Sequence, residues 1–439
     1  MPGFSGLSLI PYYPDPASFM DNDRKITWLT SFSHFITHGY MTLLPAVLVV
    51  IAGEQSLSLL HLGIIANVGY FLYGIGSFPA GWLADRFGSK LLLTVGIFGM
   101  SIASILVGFS FSMPAFAVAY ALLGAFASIH HPAGLALVAR RVTVKGKCLG
   151  IHGVLGNVGL TTAPLFASLC VLLFGSWRAA YIVCGLGGLL LGMVFQMSRI
   201  EGEPDFSLSS LKRLNRPYSA SGPVPAAPEP VQPVPLVIPV ALLLLFVDSI
   251  LSGFIFRGSL TFFPALLQRE VLFITNHETP VVMAGFVTTA VLSLGVIGSF
   301  FGGYLNDKMK TPELLPIIIF TIVTPTLYFL SRLSDFRLLA AGCLFSLVYY
   351  AWQPSQNYLI VQHTRRASHG FGFGINFFLI FGIGSIATAV GGYMSDQYGV
   401  DRFYGLMAIV SGAALVCSIT TMTVRNRQIR LPWRVGRTG

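Results

Sequence analysis

Long apolar runs broken by short polar turns set the plan of this chain. Twelve runs stand out, at about 26–51, 57–82, 90–110, 113–139, 148–174, 177–198, 238–268, 279–304, 313–331, 335–362, 369–395 and 402–424. A helix needs about 20 apolar residues to cross hydrocarbon. Strands of a membrane barrel run about 10 residues and alternate in polarity, and these runs do neither. The pattern predicts an all-α membrane protein with 12 transmembrane helices. One hydrophilic stretch separates six runs from six. It holds Glu201, Glu203, Asp205 and four basic residues, then Pro223, Pro225, Pro228, Pro230, Pro233 and Pro235. That composition favours an extended, semi-rigid linker. The expected organisation is a cytoplasmic N-terminal tail (1–25), an N-terminal six-helix bundle (26–198), a cytoplasmic Pro-rich linker (199–237), a C-terminal six-helix bundle (238–424) and a basic cytoplasmic tail (425–439).

The halves repeat one another. Gly81-Trp82-Leu83-Ala84-Asp85-Arg86-Phe87-Gly88-Ser89-Lys90 lies between two apolar runs, and Gly303-Tyr304-Leu305-Asn306-Asp307-Lys308 lies in the same setting 222 residues later. The second copy is weaker, with Met309 where Gly88 stands in the first. Thr42-Leu43-Leu44-Pro45-Ala46 returns as Thr261-Phe262-Phe263-Pro264-Ala265, and His131-Pro132 returns as Gln353-Pro354. Gly175-Ser176-Trp177-Arg178 returns loosely as Gly399-Val400-Asp401-Arg402. The offsets run from 219 to 224. Two pseudo-symmetric bundles related by an axis along the membrane normal are the arrangement these registers predict.

Composition agrees with a membrane protein. Charged residues are 10% of the chain, against about 25% in soluble proteins, and the mean hydropathy is +0.74. The net charge of +10 would suit a nucleic-acid partner, but its placement excludes one. Of 27 Lys and Arg, 21 fall in the tails, the linker and the loops on the same side as the tails. This is the positive-inside pattern and puts both termini in the cytoplasm. The expected location is the cell (inner) membrane, with lipid as a partner and the Arg-rich tail able to touch anionic headgroups. Five cysteines (Cys148, Cys170, Cys184, Cys343, Cys417) lie in or beside apolar runs without metal spacing and read as buried free thiols. The first twenty residues, broken by Pro11, Pro14 and Pro16, lack the order of a cleaved signal; the first span is expected to serve as the insertion signal. Nothing pairs a nucleophile with a base or builds a phosphate-binding loop, so no enzymatic activity, cofactor or metal is expected.

Ionisable groups inside spans are costly and point to function. His34 and His38 are four apart and share a helix face. At ~1.5 Å per residue His34 lies ~12 Å deep, and His131 reaches a similar depth from the end of the fourth span. Aligning Pro45 with Pro264 sets His38 against Arg257 across the pseudo-axis. Asp248 is nine residues before Arg257, on the opposite helix face unless the helix breaks near Gly253, and is expected nearer the cytoplasmic end. Around Arg257 the sequence offers histidines, Asn157, Gln353, Gln356, Asn357 and Asn376, but no mid-span carboxylate from the first half. A buried guanidinium without a carboxylate predicts an anionic substrate held by a forked hydrogen-bond pair. His34, His38 and His131 titrate near neutrality as proton carriers, bond a neighbouring carbonyl, or hold a metal. For His130 and His152 a bond to a neighbouring carbonyl is the leading reading.

The first repeated motif resembles the loop 2–3 motif of the major facilitator superfamily through Gly81, Leu83, Ala84, Asp85, Arg86, Gly88 and Lys90, with Ser89 replacing a usual basic residue. The resemblance implies an ionic latch. Asp85 would meet a helix N-terminus and Arg140 or Arg141, and Gly303, Asp307 and Lys308 would form the second copy. Four segments resemble the fosmidomycin-resistance branch of exporters: Ser33-His34-Phe35 with Leu43-Leu44-Pro45; His131-Pro132 before Arg140; Gly156-Asn157-x-Gly159 with Ala163-Pro164; and Arg257-Gly258 ahead of Thr261-Phe262-Phe263-Pro264. Gly150, Gly159 and Pro164 also match the antiporter motif of span five. In that branch an Asp commonly stands at the position of His38 and a Glu at that of Ala133. The expectation is a monomeric secondary transporter moving a small anionic or amphiphilic compound by alternating access, in proton-linked export. The alternatives are an importer or facilitator of an organic anion, and a membrane sensor or scaffold on a transporter frame.

Overall fold

In a computed structural model, residues 16–203, 240–364 and 369–430 are described. The side chains of 16–20, Gly146, Asp307, 369–371 and 426–430 lie outside the described set, as do most of the expected linker and the end of the basic tail. Twelve spans follow the sequence pattern. The first is Pro16–Glu54; the third, fifth and sixth are Ser89–Gly108, Lys145–Phe174 and Trp177–Met197. The seventh, eighth, ninth and twelfth are Val240–Glu270, Pro280–Lys308, Leu314–Leu330 and Val400–Arg430. Ten spans are long and apolar enough to cross a membrane; the ninth is shorter, and the tenth is divided.

Four spans are not simple helices, which the hydrophobic pattern alone did not predict. The second is Leu59–Ile75 followed by Ser77–Phe87, the fourth Met113–Ala127 followed by His130–Arg141, and the tenth Asp335–Tyr349 followed by Trp352–His363. The eleventh runs through His369–Phe377, a π-helical turn at Phe378–Ile383, and Ile386–Gln397. Proline explains the first three. Its ring meets the carbonyl four residues earlier and it lacks an N–H. Pro79, Pro132 and Pro354 therefore break the ladder at Ile75, Ser128 and Tyr350, where the helices divide. Freed carbonyls need new donors inside a membrane, and the Ser77 hydroxyl donates to the Ser128 carbonyl at 3.4 Å. The His131-Pro132 and Gln353-Pro354 echo thus marks two equivalent breaks, one per half.

Lipid tails do not drive helices together, so close approach through small residues matters. Within the first half, a Cβ on Gly159 would strike the backbone of Phe35, and one on Gly124 the backbone of Gly69. Between the halves, Gly63 and Gly74 on span two lie against the backbones of Thr388 and Gly382 on span eleven, while Gly392 lies against Leu59 and Leu60. This seam is pinned by polar contacts. Asn67 Nδ2 donates to Ser385 Oγ at 2.9 Å. The Asp396 carboxylate accepts from the Leu59 and Leu60 amides at 3.0 and 2.8 Å, capping the start of span two where the helix dipole favours an anion. A second seam joins spans five and eight, where the Leu165 amide donates to Thr289 Oγ1 at 3.0 Å. These contacts close the halves on the side away from the termini. On the terminus side, Phe78 and Phe378 meet at 5.6 Å between ring centroids.

The seam predicts a cross-link. In a chain without native cysteines, Asn67→Cys with Ser385→Cys should form a disulfide under mild oxidation, and adding Gly63→Leu should lower the yield severalfold. Equal yields with and without the leucine would mean that backbone approach at Gly63 does not set the seam.

Candidate functional site

Five imidazoles converge in the middle of the first half. Span one supplies His34 and His38, the break in span four supplies His130 and His131, and span five supplies His152. The His34 ring lies 4.6 Å from His38, 4.9 Å from His131, 5.1 Å from His130 and 4.0 Å from His152. His34 Nδ1–H donates to the His152 carbonyl at 2.7 Å, which fixes its tautomer and leaves Nε2 with a free lone pair. Gly156 makes room, since a Cβ there would fall on the His34 ring. His130 Nδ1 bonds Ser33 Oγ at 2.9 Å. The Nε2 atoms of His34, His130, His131 and His152 are buried without a hydrogen-bond partner. The spacing reading brought His34, His38 and His131 together. It missed that the rings of His130 and His152 join them. The signal was the paired histidine just before a helix-breaking proline, which turns two neighbours into one cluster.

Arg257 lies at the junction of the halves and is 2% exposed. Its guanidinium carbon is 4.0 Å from the centroid of Tyr70 on span two, 4.7 Å from Phe381 on span eleven and 5.3 Å from Phe256. Its Nε is buried without a partner, and among the described residues no carboxylate forms an ion pair with it. Cation–π contact contributes roughly 0.5–2 kcal/mol, whereas desolvating a cation costs several kcal/mol. The rings cannot close that gap; an anion can. Phe381 links this box to the histidines, with the His131 ring 6.4 Å away and nearly parallel at 8°.

The remaining predicted residues divide. Gln353 shares a small cavity with Phe256, Tyr350 and Phe381. Asn157 is half-buried beside Gly156. Asn376 and Asn357 belong to a network inside the second half. Ser249 Oγ–H donates to Asn376 Oδ1 at 2.6 Å, Asn376 Nδ2 donates to Asn357 Oδ1 at 3.4 Å, and Gln356 Nε2 donates to Ser249 Oγ at 2.8 Å. Asp248 is apart from Arg257. It accepts from Trp352 Nε1 at 2.9 Å, and the helix through Gly253 runs unbroken. Gly150 faces open space and Gly81 meets only Pro132 at 3.7 Å, so neither marks a close approach here. Pro164 lies inside the fifth span, its carbonyl against Gly285 of span eight.

At the terminus side, Asp85 Oδ1 pairs with Arg140 at 2.5 Å, and Gly88, at φ +92°, turns the chain into span three. Arg86 packs over the Trp82 ring at 5.4 Å. Arg141 turns instead to Glu203, Nε to Oε1 at 3.2 Å, and the same carboxylate accepts from the Lys90 amide at 3.1 Å. The second half repeats this knot with its charges redistributed: Glu313 pairs with Arg425 and lies 3.9 Å from His363. Gly303 meets nothing within 4 Å of an added Cβ, Lys308 lies 5.8 Å from the Tyr304 ring, and the Asp307 side chain is outside the described set. Sequence reading missed Glu203, Glu313 and Asp396. Glu203 looked like linker charge, and only the fold shows which loops face it.

Comparison with known proteins places these features. A profile of the Major Facilitator Superfamily matches residues 30–389. The fosmidomycin resistance protein of Escherichia coli is 24% identical over 395 residues, 87% of this chain and 88% of that one. The probable hexose phosphate transport protein of Chlamydia pneumoniae is 21% identical, over 91% and 90%. The membrane sensor protein UhpC of Salmonella typhimurium is 30% identical, but the match spans only 30% of each chain. A crystal structure of a bacterial homologue of the human lysosomal transporter Spinster, inward-facing and occupied, superposes with a TM-score of 0.69 at 14% identity, over 93% of this chain and 97% of that one.

The two charge pairs at the terminus side differ in burial. The Glu203 side chain is 0% exposed, that of Asp85 74%. Breaking a buried pair costs about 3–5 kcal/mol; an exposed one contributes below about 1 kcal/mol. Glu203→Gln should therefore lower the thermal midpoint of the detergent-solubilised protein by several degrees, and Asp85→Asn should leave it near wild type. Equal shifts would contradict this assignment.

Proposed function

The chain belongs to the Major Facilitator Superfamily, and from that premise we propose that it exports a small anionic or amphiphilic compound across the cell (inner) membrane, coupled to protons, as a monomer with both termini cytoplasmic. The observation that carries this reading is the Arg257 guanidinium, buried in an aromatic box without a carboxylate. The substrate's acid group takes the forked donors of Arg257, and its apolar part lies against Phe256 and Phe381. Tyr70 comes from one half and Phe381 from the other, so a bound anion touches both halves. Alternating access then means undoing the seam at Gly63, Asn67 and Asp396 while the terminus side closes. His34, His38 and His131 carry the coupling proton in place of the Asp and Glu of the related exporters. Export is supported by similarity to a resistance protein over most of both chains; an anionic substrate is supported by a relative named for hexose phosphate transport.

A second reading, a sensor on a transporter frame, is favoured by the local match to UhpC. Binding and flux separate the readings. Small carboxylates, phosphates and phosphonates should be screened by thermal shift against wild type and Arg257→Ala. Anions that raise the wild-type midpoint by several degrees and leave the variant unmoved are the expected result; equal stabilisation removes Arg257 from the site. In inverted vesicles, export should follow an imposed pH gradient. Flux indifferent to the gradient supports a facilitator, and tight binding without flux supports a sensor.

A further inference from the structure

We propose that His34, His38 and His131 form a site for a divalent d-block cation, with Zn2+ as the fitting ion. Their ring nitrogens lie within 4.8 Å of one another. A tetrahedral Zn–N shell at about 2.0–2.1 Å asks for a nitrogen spacing of roughly 3.3 Å, so rotation of the rings closes the shell. His34, His130 and His152 are as close, but ring orientation separates the two sets. The rings of His34, His130 and His152 are stacked, at 12–17° to one another, so their lone pairs lie in parallel planes and do not converge. The rings of His34, His38 and His131 meet at 61°, 82° and 73°, so their lone pairs are not confined to parallel planes and can be turned toward one ion.

The outer contacts fit as well. A ligating imidazole donates its other N–H to a carbonyl or carboxylate, which fixes its tautomer. His34 does so to the His152 carbonyl at 2.7 Å, leaving Nε2 unpartnered and buried. His131 Nε2 is likewise buried and unpartnered. His38, one turn beyond His34 on the same face, is the less buried member. Three neutral nitrogen ligands suit Zn2+, Cu2+, Ni2+ or Co2+ and not Mg2+ or Ca2+. They leave the fourth position free, as in three-histidine zinc sites. They also leave the ion's double charge uncompensated, so the fourth ligand is an anion. A bound cation holds these imidazoles deprotonated and stops proton carriage while it stays. The inference does not rest on the anion reading, because it needs the histidines and not Arg257.

The test uses the full-length protein, stripped of metal with a chelator and titrated with Co2+ in chloride buffer at neutral pH. Wild type should bind one ion per chain and develop the visible d–d absorption of a four-coordinate site. His38→Gln and His131→Gln should each weaken binding at least about tenfold. His61→Gln, at the exposed start of span two, should bind as wild type. Arg257→Ala should bind at least as tightly, because it removes a positive charge; that result separates this site from the anion site. Zn2+ should raise the thermal midpoint of wild type and not that of His131→Gln, whose own midpoint reports whether it folds. Absence of Co2+ binding by wild type overturns the proposal. So does loss of binding in His130→Gln and His152→Gln with full binding in His38→Gln and His131→Gln.

Discussion

A full positive charge sits between the halves of this molecule, and among the described residues no carboxylate pairs with it. Arg257 is nearly sealed from solvent, its neighbours are the rings of Tyr70, Phe256 and Phe381, and Asp248 on the same helix is engaged by Trp352. Cation–π contacts of a kcal/mol or two leave most of the desolvation cost in place. Burial therefore leaves this charge incompletely compensated. Under the proposed function, the acid group of the substrate supplies the missing partner. The histidine cluster lies next to this box, with the His131 ring 6.4 Å from that of Phe381.

The halves meet through two kinds of contact. Their seam uses glycines at Gly63, Gly74 and Gly392 and a few hydrogen bonds, and beside them Phe71 and Phe78 pack on Phe378 and Tyr73 on Phe381. The hydrogen bonds of the seam are ones that water can replace. The charge knots lie elsewhere. Glu203 with Arg141, and Glu313 with Arg425, each fasten helix ends within one half. Under the proposed alternating access, each half turns as a body while the contacts between them exchange. The aromatic box draws rings from both, so an anion bound to Arg257 feels any change in their spacing.

Much of this was legible in the chain. The apolar runs fixed twelve spans because a membrane leaves backbone groups no other partners. The His34-His38 spacing and the depth of His131 brought three imidazoles to one layer. The lack of a first-half carboxylate near Arg257 followed from reading residue types alone. What was hidden depends on three-dimensional facing. Asp396 caps a helix over three hundred residues away in sequence, and Glu203 reads as linker charge until loop 2–3 is seen against it. The split at Ser128 was encoded in Pro132, but hydropathy averages over it. His130 entered the cluster only because that split reorients two adjacent side chains.

The proposed function requires a centre near Arg257 that opens to one face at a time. Gln353 lines a small cavity with Phe256 and Phe381, next to the guanidinium box without belonging to it. A cysteine at this position, as the sole thiol in the chain, can be challenged in oriented vesicles with a membrane-impermeant thiol reagent from either side. The account predicts labelling from one side in the resting protein, and a shift toward the other when an anion or a pH gradient drives turnover. Labelling from both sides at once, or from neither under any condition, would contradict it.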